Sequence, residues 1–302
     1  SEQLEMLPVE SLGAVVNMQA GVVEGHFRGG RSTEVSYMID GVAVDETFGG
    51  QYAAVEIEPE SIKDLEVITG TFNAEYGRAM SGVVNAVTKD GGKEFEGSFS
   101  AGLADYFTAN DTIFPGIDES GVNRNEDYKF QLSGPIVGEK ITFFINTRYQ
   151  NNRNHLNAVR RYNVDDYSDY TGETPAEWIT NNTGDGKYVA MNGSENKSFL
   201  GKISLNAFAG GKISFMHSIN RDRWDGYNHS YKYNPDGVSS SYRETNFTVI
   251  QLNHLLTNSL FYEAKLSNMD NYNGNYLFVD RADSGYVNDV YGKPLENEEQ
   301  ML

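Results

Sequence analysis

From Gly77 to Gly82 the chain reads Gly-Arg-Ala-Met-Ser-Gly, the glycine spacing of a phosphate-binding loop. Such a loop needs Lys and then Ser or Thr after the second glycine, the ammonium to neutralise phosphate and the hydroxyl to hold magnesium. Val83 and Val84 stand in those places. The stretch is therefore read as structural, its small residues letting backbones approach closely. The 5 histidines, His26, His155, His217, His229 and His254, show no paired metal-ligand spacing, and no Ser/His/Asp set accompanies them. With Cys 0 there is no thiolate chemistry. No catalytic residue and no resident metal is expected. The acidic run Asp165, Asp166, Asp169, Glu173 and Glu177 reads as a solvated loop, and calcium is the cation whose oxygen preference would suit it. Tyr162, Tyr167, Tyr170, Trp178 and Tyr188 in the same stretch either stack on a sugar or partner or pack the loop itself.

The formal net charge of -19, with no run of Lys or Arg, excludes a nucleic-acid partner, because phosphate binding needs clustered cations. Apolar runs are only a few residues long, far short of the roughly 20 that a membrane helix needs. Any membrane role must use strands. Tyr 19 and Phe 16 beside Gly 31 and Pro 7 point the same way, towards β structure. Ser1 opens the chain without a basic and apolar leader, so a signal peptide was either never present or has been removed.

Two grammars divide the chain. Residues 1–93 read as a compact α+β unit. Val35 to Ile39 and Val42 to Val44 flank Asp40-Gly41, a dipeptide suited to a tight hairpin. Pro59 to Asp64 suits a short helical turn, Leu65 to Ile68 a strand, Asn73 to Tyr76 a turn, and Val83 to Thr88 a second strand. Residues 94–302 read as strands and loops. Phe99, Ala101 and Leu103 face one side, then Tyr128, Phe130 and Leu132, then Ile141, Phe143, Ile145, Thr147 and Tyr149. The intervening Thr142, Asn146, Arg148 and Gln150 are polar, and Phe144 alone breaks the pattern. Connectors alternate: a long one, then the short turn Ser133 to Lys140, a long one of roughly 45 residues, the short Ala209-Gly210-Gly211, a long one to Arg243, and the short Thr257-Asn258-Ser259. About seven strands are expected. Long loops at one end and tight turns at the other are the habit of an outer-membrane barrel, where Tyr128, Tyr149 and Tyr262 would suit an aromatic girdle.

Phe27-Arg28-Gly29-Gly30-Arg31, Tyr37 to Val44, Ile62 to Gly70, Ala74-Glu75-Tyr76-Gly77 and Ser81 to Lys89, in this order, resemble the plug domain of TonB-dependent outer-membrane transporters. The phrase Gln131 to Val137 and the strand after it are similar to the Oar-like branch of large receptors. The resemblance implies an α+β plug domain over residues 1–93, followed over 94–302 by antiparallel transmembrane β-barrel strands with long extracellular loops. A full barrel of that family has about 22 strands, so seven form a partial wall and the chain is expected to be part of a longer protein. The implied function is energy-coupled import of a scarce solute across the bacterial outer membrane. The implied partners are outer-membrane lipid, the TonB complex through a segment upstream of Ser1, and optionally a surface lipoprotein lid. Position in the plug implies that Arg31, Phe48, Gln51 and Tyr52 face the solute and that Arg28, Glu34, Glu75 and Arg78 supply charges that pair with the wall. Two alternatives stand beside it: a secreted or surface β-rich binding protein, and a calcium-dependent glycan-active enzyme using paired carboxylates.

Overall fold

The computed structural model describes residues 11–31, 34–44, 55–70, 80–110, 112–117, 124–280 and 283. Among them no helix is long and apolar enough to cross a membrane. One short helix, α1 (Leu12–Asn17), begins at Ser11, whose side-chain oxygen accepts a hydrogen bond from the Ala14 N–H. Beside three two-stranded pairs, the described strands form one sheet of four and one of seven.

The small sheet holds β1 (Val35–Ile39), β2 (Val42–Ala43), β3 (Ile62–Thr69) and β4 (Gly82–Thr88), in the spatial order β2-β1-β4-β3. The expected hairpin is present, with Ile39 opposite Val42. Asp40 and Gly41 take φ angles of 48 and 72 degrees, the positive pair that a two-residue turn of this hand requires. The helical turn expected over Pro59 to Asp64 is a single 3-10 turn, Pro59–Ser61. It stops there because Ile62 is buried and already pairs with Thr88, so sheet pairing takes the chain three residues before the expected start at Leu65. β4 is central, parallel to β1 and antiparallel to β3. A Cβ at Gly82 would collide with the ring of Phe27, which is fully buried. Close packing is thus the reason for that glycine. Gly77 and the turn expected over Asn73 to Tyr76 lie outside the described residues.

The large sheet is an antiparallel meander: β5 (Glu96–Ala104), β6 (Asn125–Val137), β7 (Ile141–Asn152), β8 (Ser194–Phe208), β9 (Gly211–Trp224), β10 (Ser240–Thr257) and β11 (Leu260–Tyr276). The alternation of long and short connectors is as expected. The turn expected over Ser133 to Lys140 narrows to Gly138–Lys140, because a register shift between Pro135 and Val137 lets the proline stay in the strand.

Register separates the two faces. Phe143, Ile203, Phe215, Ile250 and Leu266 form one cross-strand row on five successive strands, and Ile203, Phe215, Ile250 and Leu266 are exposed. One residue along, Phe144, Lys202, Met216, Val249 and Ser267 form a row on the opposite face, where the first four are buried. The apolar outer rows suit lipid. Phe144, which breaks the alternation in the sequence, belongs to an apolar cluster with Leu200, Met216, Phe247 and Val249 of the wall and Ile39, Val44, Val55, Ile57, Ile62 and Ala86 of the small domain. The wall's inner face is therefore part of the same core as the small sheet. A second cluster of Val16, Val22, Phe27, Val35 and Val84 joins α1 to β1 and β4.

Candidate functional site

Around this shared core lies a ring of ion pairs between the small domain and the wall. From Val55 to Glu60 the chain alternates: Val55, Ile57 and Pro59 are buried, while Glu56, Glu58 and Glu60 point the other way. Their period of two lets three carboxylates reach different wall strands. Glu56 Oε1 lies 2.8 Å from Arg243 Nη2 on β10, and Arg243 is also bound to Asp222 at 3.0 Å. Glu58 Oε2 lies 3.2 Å from Arg148 Nη1 on β7, and Ser198 Oγ on β8 donates to Glu58 Oε1 at 2.8 Å. Glu60 Oε1 lies 2.8 Å from Lys129 Nζ on β6. Arg148 in turn donates through Nε and Nη2 to both oxygens of Asp127 at 2.8 and 2.7 Å, a bidentate contact that fixes its guanidinium plane.

Burial pushes the Glu58 carboxyl above its ordinary range, with Arg148 opposing the rise. Burial acts the same way on Glu60, but the Lys129 ammonium outweighs it and the carboxyl is held low.

A second group sits where the small domain passes into the wall. Lys202 on β8 is 94 % buried by side chain (6 % exposed), as is Asp40, and their charged atoms are 3.1 Å apart. Thr88 links them: its N–H and Oγ1–H donate to the two Asp40 oxygens at 2.8 and 2.6 Å, and its oxygen accepts from Lys202 at 2.9 Å. The positive φ of Asp40 places its carboxylate here, so the hairpin turn also positions an ion-pair partner. Asp90 completes the group, 3.4 Å from Lys202 Nζ and 2.7 Å from Lys212 Nζ, and accepts from Ser204 Oγ at 2.8 Å. Burial opposes ionisation of Asp90, but Lys202 and Lys212 with their hydrogen bonds hold its pKa at about 2. A carboxyl depressed in the folded state contributes stability that is complete above its ordinary value of 3.8 and is lost as pH falls towards 2. Acid titration of the full-length protein should therefore speed hydrogen exchange in β4 between those limits, and Asp90→Asn should remove that step. A step of equal size in the variant would assign it to another group.

The residues expected to carry the site fall differently. Arg31 donates its N–H to Glu34 Oε2 at 3.2 Å, and Arg28 lies against Gly70, all within the small domain. Among the described residues neither Arg28 nor Glu34 makes an ion pair with the wall; the acids Asp40, Glu56, Glu58, Glu60 and Asp90 do. Phe48, Gln51, Tyr52, Glu75 and Arg78 lie outside the described residues. The signal for the true pairs was present as Val-Glu-Ile-Glu-Pro-Glu, apolar and acidic residues in strict alternation.

In the long loop, Asp166 accepts from Thr183 and from the Asn163 N–H, and Asp169 accepts from Thr171 and Tyr167. Glu177 accepts from the Glu173 N–H and from Thr174. No three His, Asp or Glu side chains converge as around a metal among the described residues. Tyr170 and Trp178 meet edge to face at 5.4 Å, packing the loop on itself. Tyr128 and Tyr149 stack at 6.3 Å towards the long-connector end of the wall's outer face, and Tyr262 lies near the short-turn end.

Residues 1–84 match the family model described as the TonB-dependent Receptor Plug Domain. Those residues are therefore a plug domain of that family. The chain is 32% identical over 226 residues to the TonB-dependent transporter Oar of Myxococcus xanthus, a match over 61% of this chain and 20% of that protein. It is 38% identical over 88 residues to the ferrienterobactin receptor of Escherichia coli K12, covering 29% of this chain and 10% of that receptor. In fold it is similar to the siderophore receptor PirA from Pseudomonas aeruginosa, with a TM-score of 0.59 and 17% identity over 91% of this chain and 40% of PirA. This chain thus spans a fifth or less of the two sequence relatives and two fifths of the PirA structure. The small domain is thus a plug by sequence, and the seven strands after it have the fold of the barrel wall in the receptor structure.

Proposed function

We propose that the receptor binds a scarce solute at the cell surface and imports it when an inner-membrane motor, acting through TonB, remodels the plug. The observation that carries this reading is the composition of the plug and wall interface. Five plug-side acids meet five wall cations around the apolar core that plug and wall share. Buried ion pairs bind strongly only in good geometry, so a pull that shifts Val55 to Glu60 by a single residue would break all three Glu pairs together. An interface of this kind holds at rest and releases under load.

A reducible lock tests the reading. Glu58 and Ser198 are in hydrogen-bond contact, so Glu58→Cys with Ser198→Cys in the full-length receptor should form a cross-link between plug and wall. Receptor-dependent uptake in cells should fall to background under oxidising conditions and return with reductant. Uptake that is unaffected by a complete cross-link would rule out plug release at this face.

A further inference from the structure

At the long-connector end of the wall lies a pocket of about 730 Å3 that the plug and wall interface does not use. Its lining includes Arg124, Arg153, Arg160, Lys187 and Arg223, against only Glu195 and Asp225 as acids. Of these cations Arg153 is the one that no acid neutralises among the described residues, so it offers the pocket a positive charge that an anion can meet.

The cations are held in place. Asp236 and Asp185 bind Arg160, Asp185 also binds Lys187, and Asp225 binds Arg223. Arg124 is 94 % buried by side chain (6 % exposed); its Nη1 donates to Asn154 O at 2.6 Å and Asn157 Oδ1 at 3.0 Å. Its Nε lies 3.5 Å from Asp105 Oδ1 and makes no hydrogen bond. Arg153, joined to Arg124 by a backbone hydrogen bond, is exposed and makes no ion pair among the described residues. Burial lowers the Arg124 pKa, Asp105 opposes that, and the positive charge of Arg153 adds to the lowering. Arg124, with a buried Nε that makes no hydrogen bond, and the exposed Arg153 line the same pocket and leave donors there for an oxyanion.

We propose that this pocket binds a phosphate-bearing group, with Arg153, Lys187 and Arg223 as its charge partners and Arg124 as the buried donor. Guanidinium forks match the geometry of phosphate oxygens, and a doubly charged group uses several of them at once. Asn151, Glu195 and Arg223 share one register row, and the next row carries Tyr149, beside Tyr128. Stacked tyrosines on the outer face mark the membrane boundary in barrels. The pocket is thus within reach of an outer-leaflet glycolipid headgroup and of a free phosphorylated solute.

Binding is read without transport, so failure of uptake leaves this proposal standing. The full-length receptor in detergent is titrated calorimetrically with inorganic pyrophosphate. In parallel it is reconstituted with diphosphorylated or dephosphorylated lipid A, and retained lipid is counted by mass spectrometry. Pyrophosphate binding that weakens about tenfold in Arg153→Gln, and further with added salt, supports a soluble source. Preferential retention of the diphosphorylated lipid that is lost in Arg153→Gln supports the lipid source. Lys187→Gln, at an exposed residue, should act in the same direction. No binding in either arm, or binding equal in wild type and both variants, overturns the proposal.

Discussion

Lys202→Met should loosen the plug more than a change at any exposed wall lysine, costing about 3 to 5 kcal/mol of seating free energy. Methionine keeps the volume and removes the charge, so Asp40 and Asp90 lose their shared cation while Asp40 stays buried. Thr88 loses a donor at the same moment. The loss should appear as faster hydrogen exchange in β1 and β4 of the full-length receptor, with the outer rows of β8 unchanged. Lys140→Met, in an exposed turn, is the control and should change nothing. Equal exchange in Lys202→Met and wild type would mean that apolar packing alone seats the plug.

The second large effect is at Arg148, which serves two carboxylates, Glu58 of the plug and Asp127 of the wall. Arg148→Met leaves both without it and should again cost about 3 to 5 kcal/mol. Glu58→Gln should cost less, about 1 kcal/mol, because burial already disfavours the charged form and the amide still accepts from Ser198. The double variant should be less damaging than the sum of the two by at least about 1 kcal/mol, the mark of residues in direct contact. Additive losses would place Arg148's contribution wholly with Asp127.

The sequence made the fold legible where local chemistry and tertiary demand agree. Asp40-Gly41 specifies its turn by the φ angles it tolerates, and alternation in the wall strands announces a sheet with two different faces. Phe144 was visible as an exception, yet its meaning needed the plug: an apolar residue on the polar face marks where the wall stops facing water and meets a core. The wall pairings were less legible. Arg28 stands beside glycines that carry the family resemblance and Glu34 follows a few residues on, whereas Glu60 read as part of the helical turn from Pro59 and Glu56 and Glu58 carried no reading of their own. Partners separated by up to 187 positions, as Glu56 and Arg243 are, leave no local trace. Only the register of β6 to β10 shows that Lys129, Arg148 and Ser198 share a row facing those acids.

The central claim is that this acid and base interface is closed at rest and opens when the receptor works. Ser198 is 8% exposed and lies under Glu58, so Ser198→Cys reports on that closure directly. In cells carrying the full-length receptor, a membrane-impermeant maleimide of a size that enters the barrel is applied with the solute present, with and without an energy source. The account predicts slow labelling at rest and rapid labelling when energised, with Arg148→Met raising the resting rate. Equal labelling in both states would contradict it.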